Sequence, residues 1–250
     1  MKKLVAIAVA LLTLQTAFSQ VLTKKVPSFH LDGAREIKIG LPKSYKTDVD
    51  KIYPLLLTFD GDYLFDPIMG NVSYMSYWED MPECIVVGIK QAETRNKDCQ
   101  YDKNTDLPEY DGKKFYDFVS TELIDYLNKE FRLSKFKMIA GHDYTANFIN
   151  YFMTDSPIFQ AYIALSPEYA DSMKDKVKSA LSIPNLSRKT WYYLATGEND
   201  VRNIRSGILE MENELRDLEN ENLDFHFDDF KDTSHYSCLL YTSPSPRDRG

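Results

Sequence analysis

The eleven residues 136–146 (FKMIAGHDYTA) constrain this chain more than any other stretch. Phe136, Met138, Ile139 and Ala140 form an apolar run that reads as a short buried strand. Gly141 supplies a tight turn, and Ala146, Phe148, Ile149, Tyr151 and Phe152 then recur at helical spacing. A strand, a sharp turn and a helix, with glycine two residues before the tip, lift one side chain above the C-terminal edge of a parallel sheet. An elbow built to carry a nucleophile reads G-x-S-x-G. Here the letters are G-H-D-Y-T, so Asp143 stands at the serine position and Thr145 at that of the second glycine.

The rest of the chain supplies a sheet for that elbow. Ala34 to Leu41 alternates as a strand and stops at Pro42. Leu55 to Phe59, Cys84 to Ile89 and Ala161 to Leu165 are continuous apolar runs, as expected of strands buried on both faces. Trp191 to Ala195 and Leu223 to Phe227 read as further strands. Lys113 to Arg132 carries one apolar helical face (Phe115, Phe118, Val119, Leu123, Ile124, Leu127, Phe131), and Tyr169 to Leu181 and Val201 to Leu218 read as helices. The polar stretch from Lys90 to Gly112 reads as a long loop of the kind that is functional or mobile. Strands alternating with helices predict a single doubly wound α/β domain over residues 20–237 with a mostly parallel sheet.

Both ends fall outside that domain. Lys2 and Lys3, the apolar run Leu4 to Leu14 and the small-residue end Ala17-Phe18-Ser19 read as a cleaved signal peptide over residues 1–19. That predicts a periplasmic or secreted protein. Residues 238–250 (CLLYTSPSPRDRG) fit no periodicity and read as a non-native tail or a natural flexible one, so the domain is expected to be truncated at its C-terminus. The formal net charge of −8 argues against nucleic acid and anionic membranes as partners. No later apolar run is long enough to span a membrane. Cys84 and Cys99 are expected as free or buried thiols without the spacing of a zinc site, and neither metal nor cofactor is expected.

In a doubly wound sheet, ligands bind beyond the C-terminal ends of the strands. Asp60 to Asp62, Asp143, Asp200 and His235 all fall there. Asp143, Asp200 and His235 also run in the chain order nucleophile, acid, histidine that an α/β-hydrolase uses.

Several local stretches carry a family likeness. They are Tyr53-Pro54 through Phe59-Asp60-Gly61, Val86-Val87-Gly88-Ile89 with Arg95 and Asp98 downstream, and Lys114 to Phe118 through Glu122-Leu123-Ile124. Ala140-Gly141-His142, Leu165-Ser166-Pro167 and Ser234-His235-Tyr236-Ser237 complete the set. From roughly Ala34 to Ser237 the chain resembles the esterase branch of the α/β-hydrolase superfamily that includes esterase D-like and enterochelin-esterase-like proteins. The resemblance implies a small-molecule substrate or ligand. It makes His235 the catalytic histidine and Asp200 its acid, with Glu198 close by. Backbone amides near Gly61 and Asp62, with that of Tyr144, would form the oxyanion hole. The departures are Asp143 for serine, Thr145 for glycine, with a widened elbow expected, and the absence of a helix after His235.

A carboxylate at the tip changes the chemistry. With an ordinary pKa of about 3.9 it is anionic at neutral pH and needs no base to attack carbon. Attack on a carboxylic ester would give a costly mixed anhydride, whereas an epoxide or alkyl halide suits it. Three readings follow: a hydrolase using Asp143 as nucleophile or as a base for water; a non-catalytic relative that binds a ligand or partner; and a serine esterase whose nucleophile is Ser166 or Thr145. Structural roles stand beside these. Asp143 can accept hydrogen bonds at the helix N-terminus, Asp200 can cap the helix from Val201, and His142 reads as a packing residue. Arg95 and Asp98 either pair to hold the long loop or contact substrate.

Overall fold

Among the described residues the chain forms ten strands and eight α-helices. β1 is Val21–Ser28, β2 Gly33–Gly40, β3 Tyr53–Thr58, α1 Phe65–Tyr77, β4 Ile85–Ile89, α2 Arg95–Asp98, β5 Tyr101–Asp102 and β6 Leu107–Pro108. α3 (Tyr110–Asp117) runs through a π-helical segment, Phe118–Leu123, into α4 (Ile124–Glu130). β7 (Leu133–His142), α5 (Tyr144–Phe148), α6 (Tyr151–Thr154), β8 (Ala161–Leu165), α7 (Met173–Leu181), β9 (Thr190–Asn199), α8 (Arg202–Arg216) and β10 (Leu223–Ser234) follow. A 3-10 turn at Ser237–Leu240 ends the set. The computed structural model describes residues 21–154, 157–182 and 186–240, so the expected signal peptide lies outside the described residues.

Eight of the strands form one sheet in the order β1-β2-β4-β3-β7-β8-β9-β10. β1, β2 and β4 pair antiparallel, and every other pair is parallel. The apolar runs fall at its centre: all five residues of β4 are buried, and β3 is buried from Leu55 to Thr58. One face packs against α3–α8 through a large core that contains an aromatic cluster of Phe59, Phe115, Phe148 and Phe152. The other face packs against α1 through Leu56, Phe65, Met69, Val72, Val86 and Ala140.

Four features differ from the sequence reading. β1 and α1 are additional elements. The long polar loop is structured by α2 and by the β5–β6 hairpin. β9 and β10 run several residues further than the apolar pattern, to Asn199 and Ser234. Leu239, placed by sequence in the tail, is buried against Leu64, Leu165, Tyr193 and Ala195; residues 241–250 lie outside the described residues. Cys84 and Cys99 are free and buried, as expected.

Candidate active site

The site is assembled at the C-terminal ends of β3, β7, β8, β9 and β10. Gly141 is required just before the tip, because a Cβ there would sit 2.5 Å from the Thr145 carbonyl oxygen. Asp143 then adopts φ 59° and ψ −121°, outside the helical and extended regions. Such backbone costs about 1–3 kcal/mol and clusters at functional sites. Its amide is anchored on the Leu165 carbonyl and its carbonyl accepts from Asn147 N–H. The Asp143 carboxylate makes no capping bond to α5. The N-terminal cap expected as its structural role is therefore not what the side chain does.

Instead the carboxylate faces the Arg95 guanidinium and the His235 imidazole. Oδ2 accepts from the Arg95 guanidinium at 3.2 Å, and Oδ1 lies 3.8 Å from His235 Nε2. His235 Nδ1 is 2.7 Å from Asp200 Oδ1. Burial works against charge on His235, but the hydrogen bond and charge of Asp200 and the charge of Asp143 outweigh it and raise its pKa above the ordinary value. Asp200 also accepts from the Thr196 and Ser166 hydroxyls and from Val201 N–H and so orients the imidazole; the cap of α8 is Val201, with no side-chain capping bond, so Asp200 is not the helix cap the sequence suggested. Although burial opposes it, His235 and these hydroxyls hold the Asp200 carboxyl below its usual range. Glu198 is exposed and accepts from Asp232 N–H instead, so Asp200 is the carboxylate that pairs with His235.

Thr145, the second departure from the elbow pattern, is fully buried. Its hydroxyl accepts from His142 N–H at 2.8 Å and donates to Asp60 Oδ2 at 2.7 Å. Ser166 is equally buried and serves Asp200. Neither hydroxyl is presented at the tip. His142 is a packing residue, as expected, and also a connector. Its Nε2 donates to the His235 carbonyl at 3.0 Å, since a carbonyl can only accept, and its Nδ1 meets the Tyr63 hydroxyl at 2.9 Å. Burial, with His235 nearby, presses its pKa down to about 4, so the ring is neutral at pH 7.

Two expectations are corrected. The Gly61 amide donates to the Ile89 carbonyl at 2.7 Å and is not free for an oxyanion. The β3 and β4 chains approach so closely here that a Cβ on Gly61 would lie 2.5 Å from the Gly88 carbonyl carbon. The Asp62 and Tyr144 amides donate to no acceptor among the described residues. Arg95 does not pair with Asp98: Asp98 forms a buried fork with Arg35, leaving Arg95 for Asp60, Asp143 and the His142 carbonyl. Among the described residues no cluster of His, Cys, Asp and Glu could hold a metal ion, and no helix is long and apolar enough to cross a membrane.

Solved structures share this architecture. An uncharacterised protein from Capnocytophaga ochracea aligns at a TM-score of 0.78 and 25% identity over 89% of this chain. The chain spans 61% of that protein's length. The BES protein of Bacillus cereus aligns at 0.76 and 21% identity over 91% of this chain and 93% of its own. An IroE-like serine hydrolase from Shewanella oneidensis aligns at 0.73 and 19% identity over 89% and 77%. No curated protein matches the chain. The profile described as Putative esterase matches residues 28–217, most of the chain, and with this sheet order and elbow beneath it the protein belongs to that esterase family.

Proposed function

We propose that this is an exported hydrolase for a small ester or a related substrate with an electrophilic carbon. Asp143 is the nucleophile, His235 the base and Asp200 the residue that orients it. The line of three groups carries this reading: Asp143 Oδ1 to His235 Nε2 at 3.8 Å and His235 Nδ1 to Asp200 Oδ1 at 2.7 Å. Export rests on the signal-peptide pattern of residues 1–19.

In the first step Asp143 attacks an sp3 carbon. A C–O bond forms, and the leaving group (a halide or a carboxylate) departs with the electron pair of its own bond to that carbon. Asp143 is then an alkyl ester. Neutral His235 takes a proton from water, whose oxygen attacks Asp143 Cγ. The tetrahedral adduct collapses and the alkoxide leaves with the proton returned by His235; the carboxylic acid left on Asp143 then passes its remaining proton to His235 and on to bulk water, which regenerates the carboxylate. The pairing of Nδ1 with Asp200 keeps Nε2 turned toward that water. Attack at an acyl carbon would give a mixed anhydride, so alkyl electrophiles are the better substrates.

One observation favours a second reading. The Arg95 ion pair already satisfies the Asp143 charge, as a ligand-binding cleft without turnover would have it. The two readings separate on one experiment. A panel of aryl esters, epoxides and haloalkanes is offered to the protein and to its His235→Ala form, followed by intact-mass analysis. The catalytic reading expects turnover by the parent and a covalent adduct on Asp143 that accumulates in His235→Ala. Neither turnover nor adduct across the panel rejects it and leaves the binding cleft. Restoring the elbow with Asp143→Ser and Thr145→Gly together then asks whether the remaining groups support ester hydrolysis.

A further inference from the structure

We propose that Arg95 is a further catalytic residue of this site. Its guanidinium holds Asp143 Oδ2 and takes up the negative charge that develops on that oxygen when the alkyl-enzyme is hydrolysed. The inference rests on the nucleophile reading above and assigns which oxygen of Asp143 does what.

The guanidinium is fixed before any substrate arrives. Nε donates to Asp60 Oδ1 at 2.7 Å, and Nη2 donates to Asp60 Oδ2 at 3.3 Å and to the His142 carbonyl at 2.8 Å. Nη1 is left to meet Asp143 Oδ2 at 3.2 Å. Asp60 is itself locked: it is buried and accepts from the Thr145 hydroxyl, with the Tyr63 hydroxyl 3.0 Å away. The Tyr144 ring covers the guanidinium at 5.5 Å. A cation held this rigidly beside a reacting atom needs no reorganisation when charge appears, which makes such groups effective.

The two oxygens of Asp143 are therefore not equivalent. Oδ1 faces the imidazole and Oδ2 the guanidinium. Oδ1 forms the bond to the substrate carbon, and Oδ2 becomes the carbonyl oxygen of the alkyl ester. When water adds to Cγ, the electron pair of the Cγ–Oδ2 double bond moves onto Oδ2, beside Nη1, and returns when the alkoxide leaves. A serine at the tip would offer no second oxygen, so this role belongs to the carboxylate. The same contact damps the first step, because it stabilises the resting carboxylate. Arg95 is thus expected to act differently on the two halves of the reaction.

The full chain is mixed with 1-bromobutane, and the butyl ester on Asp143 is followed by rapid-quench mass spectrometry. Arg95→Lys keeps a cation for Asp60 but loses the fork. The Asp60→Asn/Arg95→Gln double variant removes both charges, so neither is stranded. Both are expected to form the ester, and the double variant to hydrolyse it about a hundredfold more slowly than the parent, the cost of losing one oxyanion donor. The adduct should accumulate there as it does in His235→Ala, with Lys giving an intermediate rate. Hydrolysis at the parent rate in the folded variants overturns the role, and so does an equal slowing of formation and decay, which a purely structural residue would produce. If His235→Ala itself carries no adduct, the nucleophile reading has failed and Arg95 falls with it.

Discussion

Asp60 and Arg95 form a pair whose two members should not be equally costly to lose. Asp60 is 2% exposed, while the Arg95 side chain is 21% exposed. Arg95→Met leaves a buried carboxylate with only hydroxyl donors, and breaking a buried pair this way costs about 3–5 kcal/mol. Asp60→Asn leaves a guanidinium that keeps Asp143 Oδ2, the His142 carbonyl and some water. Its loss should be about 2 kcal/mol, the range for hydrogen bonds to a charged group. Urea unfolding, read from Trp78 and Trp191 fluorescence, measures both. With a slope of about 3 kcal/mol/M, Arg95→Met should lower the midpoint by at least 1 M and Asp60→Asn by about 0.7 M. The double variant should cost less than the sum, with a coupling of about 1–3 kcal/mol. An equal or larger loss in Asp60→Asn, or strict additivity, would refute the claim that the buried carboxylate sets the energetics.

Gly141→Ala should destabilise by about 1–3 kcal/mol and lower the melting temperature, because the new Cβ meets backbone, which cannot swing aside. Asp200→Asn should lower the His235 pKa, followed by imidazole NMR titration, whereas Glu198→Gln should leave it nearly unmoved; the reverse order would put the acid at Glu198. The two histidines make opposite contributions to stability against pH. His235 has a raised pKa, so its contribution is fully present below about pH 6.5 and is lost as pH rises through the raised value. His142, pressed down to about 4, contributes stability that is present above about pH 6.5 and lost as pH falls toward 4, by up to roughly 3 kcal/mol. His142→Asn should therefore flatten the acid limb of urea midpoint against pH while leaving the limb above neutrality in place.

The sheet was readable because its central strands are uninterrupted apolar runs, a pattern that only burial on both faces explains. α1 was not readable. Pro67, Gly70, Asn71, Ser73 and Ser76 dilute its signal, and only Phe65, Met69, Val72 and Met75 mark the buried face. β9 and β10 were cut short for a related reason. Gly197-Glu198-Asn199 and Asp228-Asp229 look like turns, yet they continue a ladder in which Asp228 pairs with Ala195 and Asp229 with Thr196. The cross-strand register overrides local propensity at both places.

The placement of Asp143, Asp200 and His235 at one sheet edge was accessible from sequence because each follows a strand, and strand ends converge where a parallel sheet binds ligands. Arg95 lies in a stretch that reads as polar loop and folds as α2, 35 residues in sequence from Asp60 and 48 from Asp143. Its role can be traced only once Asp98 is seen to be taken by Arg35. The substitution at the elbow then ceases to be isolated. Asp60, Asp143 and Asp200 bring three carboxylates to one edge, where the Arg95 guanidinium meets the first two and the His235 imidazole the last two. A carboxylate is tolerable at that tip because a guanidinium, already held by Asp60, reaches across to meet it. An Asp143→Ser change by itself would leave Arg95 Nη1 without its carboxylate, so recovery of serine chemistry at this elbow has to contend with a cation placed against a carboxylate.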